Sequence, residues 1–458
     1  MLRGARMKPG GVSRLVTGLI LLGSLSLGIW LGLVAQWERR AALAAHPRVD
    51  GRIAVKGLSA RVVILRDAHG VPHVRGSSDA DALRGLGFAH AQDRLAQMVW
   101  LRHSAQGRAA ELVGRSALPS DRLARTIGIA RHATRQAENL DAETRGALSA
   151  YADGVNAYLE RIRAGAAAAP LELRRLNAAI EPWQPSDSVA IVKLYAWALG
   201  SSLEASLVLS DLIERLGGFG ARPFFRGPDA LAPGPIPTAS RRPPAQPPRR
   251  AFRDELQRAL GVAGRSAGSS AWVVGSKLGV REKPLLAADA HLEATAPAFF
   301  YEAHWTGDRV DIAGATIPGV PVVWIGQNHH VAWAATHAGA VVCDLFVETL
   351  DPRDPSQYHV GTGWREVEAR DERIRVRGDA DELLVVRETR HGPLLNSLLP
   401  NEREPLALAW TGARNADGIR GLLRASYAQD AEELRKALAL HQEPVINVVY
   451  ADARGAAG

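Results

Sequence analysis

Hydrophobic positions fall into three regimes along the chain. Leu15 to Ala35 is an unbroken run of 21 uncharged residues, and about 20 apolar residues span the hydrocarbon core of a bilayer. Beyond it, from Ser77 or Ser78 to about Ile213, the pattern is mainly helical; Leu83, Leu95, Met98 and Leu101 form part of one apolar face. From Ala271 onward, short apolar runs separated by turn residues take over. Ala271–Val274, Lys283–Ala287, Val320–Trp324 and Val331–Trp333 all predict strands. Residues 222–250 follow neither period, and nine of these 29 positions are proline, so they read as an exposed linker. The chain thus predicts an apolar helix, a helical region, a linker and a β-rich region, an α+β arrangement.

Local signals refine the boundaries. Val62–Leu65 predicts a strand closed by the turn residues Gly70-Val71-Pro72. Ser77 or Ser78 caps the next helix, with Asp79 and Asp81 in its first turn. That helix runs to Glu111-Leu112, with Gly85 and Gly87 as candidate breaks, and a second break is expected at Glu181–Pro185. A short amphipathic helix over Phe252–Leu260 follows the linker, and Asn447–Gly455 reads as a strand entering a tight turn.

The net charge of +8 invites a nucleic-acid reading, but its distribution removes it. Residues 1–40 and 222–250 each carry +5, which leaves the remainder at −2. A near-neutral bulk gives no support for a nucleic-acid groove. The single cysteine, Cys343, excludes an intrachain disulfide and a cysteine-based zinc cluster. The basic flank 1–14 (Arg3, Arg6, Lys8, Arg14) holds the N-terminus in the cytoplasm and sends the rest outward. Residues 15–36 therefore read as a signal-anchor; Ala42-Leu43-Ala44 keeps the cleaved signal peptide open as the alternative.

Two serines are candidate nucleophiles. Gly264-Arg265-Ser266-Ala267-Gly268 matches the nucleophile-elbow pattern, but an elbow needs a strand before it and a helix after it, and here the order is reversed. Ser269 stands at the first position of an expected strand, after a glycine and an exposed linker. Breaking the Gly268–Ser269 bond would make Ser269 a new N-terminus. Its hydroxyl is then the nucleophile, and its own α-amine, with a pKa of about 8, the base. Glycine before it tolerates strained backbone and leaves room for attack on the preceding carbonyl. A turn before a strand accounts for Gly-Ser equally well from the local sequence alone.

Ordered motifs extend this. Arg66-Asp67-x-x-Gly70-Val71-Pro72-His73, Gly87-Phe88-x-His90-Ala91-Gln92-Asp93-Arg94, Gly107-Arg108-x-x-Glu111-Leu112 and Trp183-x-Pro185-x-Asp187-Ser188 precede the linker. Gly268-Ser269-Ser270-Ala271-Trp272, Asp289-Ala290-His291-Leu292, Gly319-Val320-Pro321, Gly326-Gln327-Asn328 and Ala332-Trp333-x-x-Thr336 follow it. From about Val62 to its last residue the chain resembles the penicillin acylase family of N-terminal nucleophile hydrolases. The resemblance implies an αββα sandwich, incomplete here, and self-cleavage into an α and a β chain that remain together as a heterodimer. The α-chain region would be 51–221, the discarded spacer 222–268 and the β part 269–458. It implies hydrolysis of a small-molecule N-acyl amide, a β-lactam side chain or an acyl-homoserine lactone, in a periplasmic or other extracytoplasmic setting.

By the same resemblance Ser269 is the nucleophile, with Ser270 where an asparagine is usual. His291, 22 residues further on, matches a position near the nucleophile's amine. His337 matches the residue whose backbone N–H helps form the oxyanion hole, a role in which its side chain need not take part. A structural calcium would be held by Glu204, the carbonyl of Cys343 and Asp344, with Val341 where another ligand aspartate often sits. The family continues past the strand 447–455 with a return strand and a second oxyanion donor, so the chain reads as C-terminally truncated. An inactive truncated paralogue is the rival expectation.

Overall fold

The computed structural model describes residues 9–200, 212, 215–217, 220, 268–278, 283–398 and 404–458. The linker 222–250, Ser266 and the helix expected over Phe252–Leu260 lie outside the described residues. Helix α1 is Pro9–Ala45. Its segment Val16–Arg40 is entirely unburied, and is long and apolar enough to cross a membrane.

The helical region comprises α2 (Asp79–Gln106), α3 (Ala110–Val113), α4 (Leu118–Ile127), α5 (Ile129–Glu138), α6 (Ala142–Arg163), α7 (Leu171–Arg175) and α8 (Pro185–Leu199). Ser78 caps α2 by accepting from the Asp81 N–H. The candidate breaks at Gly85 and Gly87 are not breaks: α2 is continuous through both, and its one non-helical residue is Arg94. Gly87 serves a crossing instead. A Cβ there would overlap the Tyr151 carbonyl of α6, and one at Gly154 would overlap the Arg84 carbonyl of α2. Two glycines let these helices touch backbone to backbone. The expected interruption at 181–185 is real, and α8 begins at Pro185 with Asp187 closing a capping box onto Gln184.

The main sheet has the order β1-β2-β5-β6-β7-β8-β16. Its strands are β1 (Val63–Arg66), β2 (Pro72–Arg75), β5 (Tyr301–Thr306), β6 (Asp311–Ile317), β7 (Val320–Asn328), β8 (Val331–His337) and β16 (Ile446–Asp452), all antiparallel except the parallel β2–β5 pair. Helices α2, α6 and α8 pack against it. A hairpin of β3 (Gly268–Val274) and β4 (Leu285–His291) lies against β8 and β16. The remaining strands, β9 (Cys343–Val347), β10 (Gln357–Val360), β11 (Gly363–Glu366), β12 (Glu368–Ile374), β13 (Glu382–Thr389), β14 (Gly392–Pro393) and β15 (Leu406–Trp410), form three small sheets. Helices α9 (Arg420–Ala425) and α10 (Ala431–Leu438) precede β16. After β16 the chain turns at Gly455 and pairs back on Tyr450 through both backbone groups of Gly458.

The motifs are the joints of this arrangement. Arg66 on β1 grips Asp93 on α2 with two hydrogen bonds, 2.7 and 2.9 Å, and Tyr301 on β5 donates to the same carboxylate. His90 sits at the centre of a buried relay. The Gly319 N–H donates to Tyr151 Oη, Tyr151 to His90 Nδ1, His90 Nε2 to Thr316 Oγ1, and Thr316 to the Tyr301 carbonyl. Burial pushes His90 down to about 3, so the ring stays neutral and the relay needs only one tautomer. Asn328 shapes the β7–β8 turn, accepting from the His330 and Val331 N–H groups at 2.8 Å.

Candidate active site

Strand β3 begins at Gly268, earlier than the apolar pattern alone suggests, because Gly268 to Ser270 pair with β4 as regularly as the residues after them. Ser269 lies opposite Ala290, so both side chains share the inward face of the hairpin. The backbone N–H of His337, the last residue of β8, donates to Ser269 Oγ at 2.9 Å. The imidazole of His337 is engaged as well. Its Nε2 donates to the carbonyl of Leu199, the last residue of α8. This contact ties the end of the helical region to the strand that supplies the donor.

A cavity of about 370 Å³ opens beside Ser269. Its wall is mostly apolar, with Leu199 from α8, Leu292, Phe299 and Phe300 after β4, Ile325 from β7 and Ile446 from β16. A hydroxyl with a fixed backbone donor at the edge of an apolar pocket can attack an acyl carbonyl while the acyl chain sits in the pocket.

The structure separates His291 from Ser269. His291 pairs with Gly268, one position out of phase with Ser269, and side chains alternate along a strand. Its imidazole therefore lies on the outward face, with Nε2 3.4 Å from Ser270 Oγ and 3.4 Å from Asp289 Oδ2. The expected calcium ligands are only partly present among the described residues. Asp344 is exposed and its Oδ1 accepts from the neighbouring Leu345 N–H at 2.8 Å, Val341 is exposed and apolar, and Glu204 lies outside the described residues. With the Cys343 carbonyl this makes two donors, against the about six to eight oxygens calcium takes. Among the described residues no group of three or more His, Cys, Asp or Glu side chains could hold a metal ion.

Sequence reasoning did not mark Tyr195, Leu199 or Trp324 as parts of the site. Each reads as core within an ordinary helix or strand, and only tertiary packing brings them to Ser269.

Comparison with known proteins places this geometry in a family. The sequence profile described as "Penicillin amidase" matches residues 61–458. Penicillin acylase 2 proenzyme of Pseudomonas sp. (strain SE83) is 36% identical over 370 residues, covering 79% of this chain and 47% of that protein. Acyl-homoserine lactone acylase QuiP of Pseudomonas aeruginosa is 31% identical over 452 residues, covering 93% of this chain and 52% of that protein. Among solved structures, thermostable penicillin G acylase from Alcaligenes faecalis is 26% identical with a TM-score of 0.34, covering 42% of this chain and 32% of that one. The chain spans about half the length of the curated relatives it matches. It belongs to the penicillin amidase family of N-terminal nucleophile hydrolases.

Proposed function

We propose that this chain is the self-cleaving precursor of an amidohydrolase acting on small N-acyl compounds. The observation that carries the reading is the His337 N–H at 2.9 Å from Ser269 Oγ, at the edge of the apolar cavity. In the first step Ser269 Oγ attacks the Gly268 carbonyl, the C–N bond breaks and an ester forms. Water then splits that ester, leaving a Gly268 carboxylate and a free Ser269 α-amine. In turnover Oγ gives its proton to the α-amine and bonds to the substrate's acyl carbon. As Oγ bonds to carbon, the His337 N–H passes from Oγ to the substrate's developing oxyanion, a contribution of about 10²–10³ in rate for a single donor. The amide C–N bond breaks, the leaving amine takes the proton, and water releases the acid from the acyl-enzyme. Residues 51–221 and 269–458 remain associated as a heterodimer after loss of the spacer, outside the cytoplasm and held at the membrane by α1. His291, on the far face of the hairpin, takes no part in these steps.

Intact-mass analysis of the full chain tests this. The expected result is a C-terminal fragment of 190 residues beginning at Ser269, and release of free acid from N-acyl amides. Ser269→Ala abolishes both, while Ser266→Ala changes neither. A single uncut chain that hydrolyses no N-acyl amide overturns the proposal.

A further inference from the structure

Away from the cavity, one end of the folded body carries a charge pattern that its bulk does not. Residues 164–170 form an uncharged connection of alanines, Gly165 and Pro170 between α6 and α7, exposed at its tip, Ala164 to Ala166. Arg161 and Arg163 precede it, and Arg174 and Arg175 follow it. Within 161–175 these four arginines face one acid, Glu172. Arg161 and Arg163 donate to the carbonyls of Ala166 and Ile180, both at 3.2 Å, and these neutral partners leave their charge uncompensated. Arg163, Arg174 and Arg175 are exposed. The chain outside 1–40 and 222–250 carries −2, so this end is a local cationic excess on a body of slightly negative charge.

Helix α1 fixes where this end lies. Arg175 is paired with Glu38, and α7 touches α1. Glu38 lies three residues beyond Ala35, the end of the uncharged run, and at 1.5 Å per residue that is about 5 Å. The headgroup layer of a bilayer is about that thick, since about 30 Å of hydrocarbon lies within about 40–45 Å in all. With 15–35 across the hydrocarbon, Glu38 and its partner Arg175 fall among the headgroups. Exposed Trp37 stands at the same level, where indole rings collect, beside the exposed Arg39 and Arg40.

We propose that the α6–α7 connection, with Arg163, Arg174 and Arg175, is a membrane-docking surface that binds the phosphates of an anionic phospholipid bilayer. The inference rests on the reading of α1 as a membrane span. Guanidinium groups match phosphate oxygens in a two-point fork, and each basic residue at an anionic surface adds to the attraction. The uncharged tip lets the backbone approach the headgroups without stripping water from a charged side chain. The field of such a surface draws in this end and repels the slightly negative remainder, so it orients the body as well as holding it. Docking therefore fixes the body to the bilayer at one end of α6, instead of leaving it to swing on residues 46–62 between α1 and β1.

Fluorescence quenching on the full chain in vesicles tests this. The buried Cys343, the chain's single cysteine, is replaced by alanine, and an NBD label is attached at Ala166→Cys or at Ala439→Cys. Exposed Ala439 follows α10, whose Lys436 and Ala437 share a cavity with Glu143 at the other end of α6, about 30 Å along that helix from the connection. In phosphatidylcholine vesicles with about 30% phosphatidylglycerol, lipids spin-labelled at the headgroup are expected to quench the 166 label at least about threefold more than the 439 label. The 166 quenching should fall at least about twofold in pure phosphatidylcholine, in about 0.5 M salt, and in Arg163→Ala/Arg174→Ala, which leaves the Arg175–Glu38 pair in place. Arg163→Lys/Arg174→Lys, which keeps the charge, should retain most of it. Equal quenching at 166 and 439, or a 166 signal indifferent to lipid charge and to loss of both arginines, overturns the proposal. Alkaline carbonate extraction reports on α1 separately: a chain that carbonate strips from vesicles on which its 166 label was selectively quenched overturns the anchor reading and leaves this one standing.

Discussion

Lys193 on α8 is completely buried, and its Nζ donates to Glu443 Oε1 at 2.7 Å and to the Gly412 carbonyl at 2.9 Å. Lys193→Met breaks that pair from one side. Burial pushes the Glu443 carboxyl up to about 7, against the downward pull of Lys193. The second oxygen, Oε2, finds no partner among the described residues. A carboxyl that binds its proton more tightly folded than unfolded gives stability that is complete below its ordinary pKa of 4.5. That stability fades as pH rises towards about 7. At pH 5 Glu443 is already protonated in the folded protein, and the variant loses only the hydrogen bonds of Nζ, about 2 kcal/mol or less. At pH 8 the variant's Glu443 must either stay charged without its cation or take up a proton that the unfolded chain does not hold, and such one-sided breaks cost about 3–5 kcal/mol. Urea unfolding followed by tryptophan fluorescence at the two pH values measures the difference. The loss is expected to be about twice as large at pH 8, and Glu443→Gln in the same chain should restore most of it. An equal loss at pH 5 and pH 8, or no recovery with Glu443→Gln, would refute the assignment of the cost to a buried charge.

Other consequences are equally direct. His337→Ala keeps the backbone donor but loses the tie to Leu199, so kcat should fall about tenfold with KM little changed; His337→Gln, which can still donate to that carbonyl, should recover most of the rate in steady-state assays with any N-acyl substrate the chain turns over. Gly87→Ala places a methyl group against the Tyr151 carbonyl and should destabilise the fold by about 3 kcal/mol in chemical denaturation, the upper part of the usual overpacking range. His90→Phe leaves the Tyr151 and Thr316 hydroxyls without their shared partner. It should lower stability by about 2 kcal/mol at every pH between 5 and 8, because the ring it replaces is neutral throughout.

The parts of the fold governed by local rules were legible in the sequence. The apolar run became α1, Ser78 became a cap, and the runs after Ala271 became strands, because run length, capping chemistry and turn residues decide these within a few positions. What depended on a distant partner was not legible. Gly87 looks like a break in a helix until α6 is laid across it. His291 looks like a neighbour of Ser269 until the register of β3 with β4 puts the two on opposite faces. The imidazole of His337 has no evident task until the end of α8 arrives beside it. Tyr195 and Trp324 read as core by type, and only packing shows that they line the cavity beside Ser269.

These contacts bear on how the protein tolerates the proposed break in its chain. The break would fall inside β3, between Gly268 and Ser269, with the spacer before it removed. Neither element depends on that connection for its place. Helix α8 is fixed to the β-rich region by Lys193 on Glu443 and Gly412, and by the Leu199 carbonyl on His337. From Ser269 onward, strand β3 is fixed by six paired positions with β4 and by the packing of both on β8 and β16. Leu199 at the end of α8 and Ser269 in β3 therefore both meet one residue of β8, His337. The helix brings Tyr195 to the cavity and β3 brings Ser269, so the contacts that hold the two parts together are also the contacts that assemble the site. A cut that loosened the α8 anchor would cost stability and activity together. Lys193→Met should accordingly weaken binding in the cavity as well as the fold, most strongly at pH 8, where Glu443 has lost the cation that pairs with its charge.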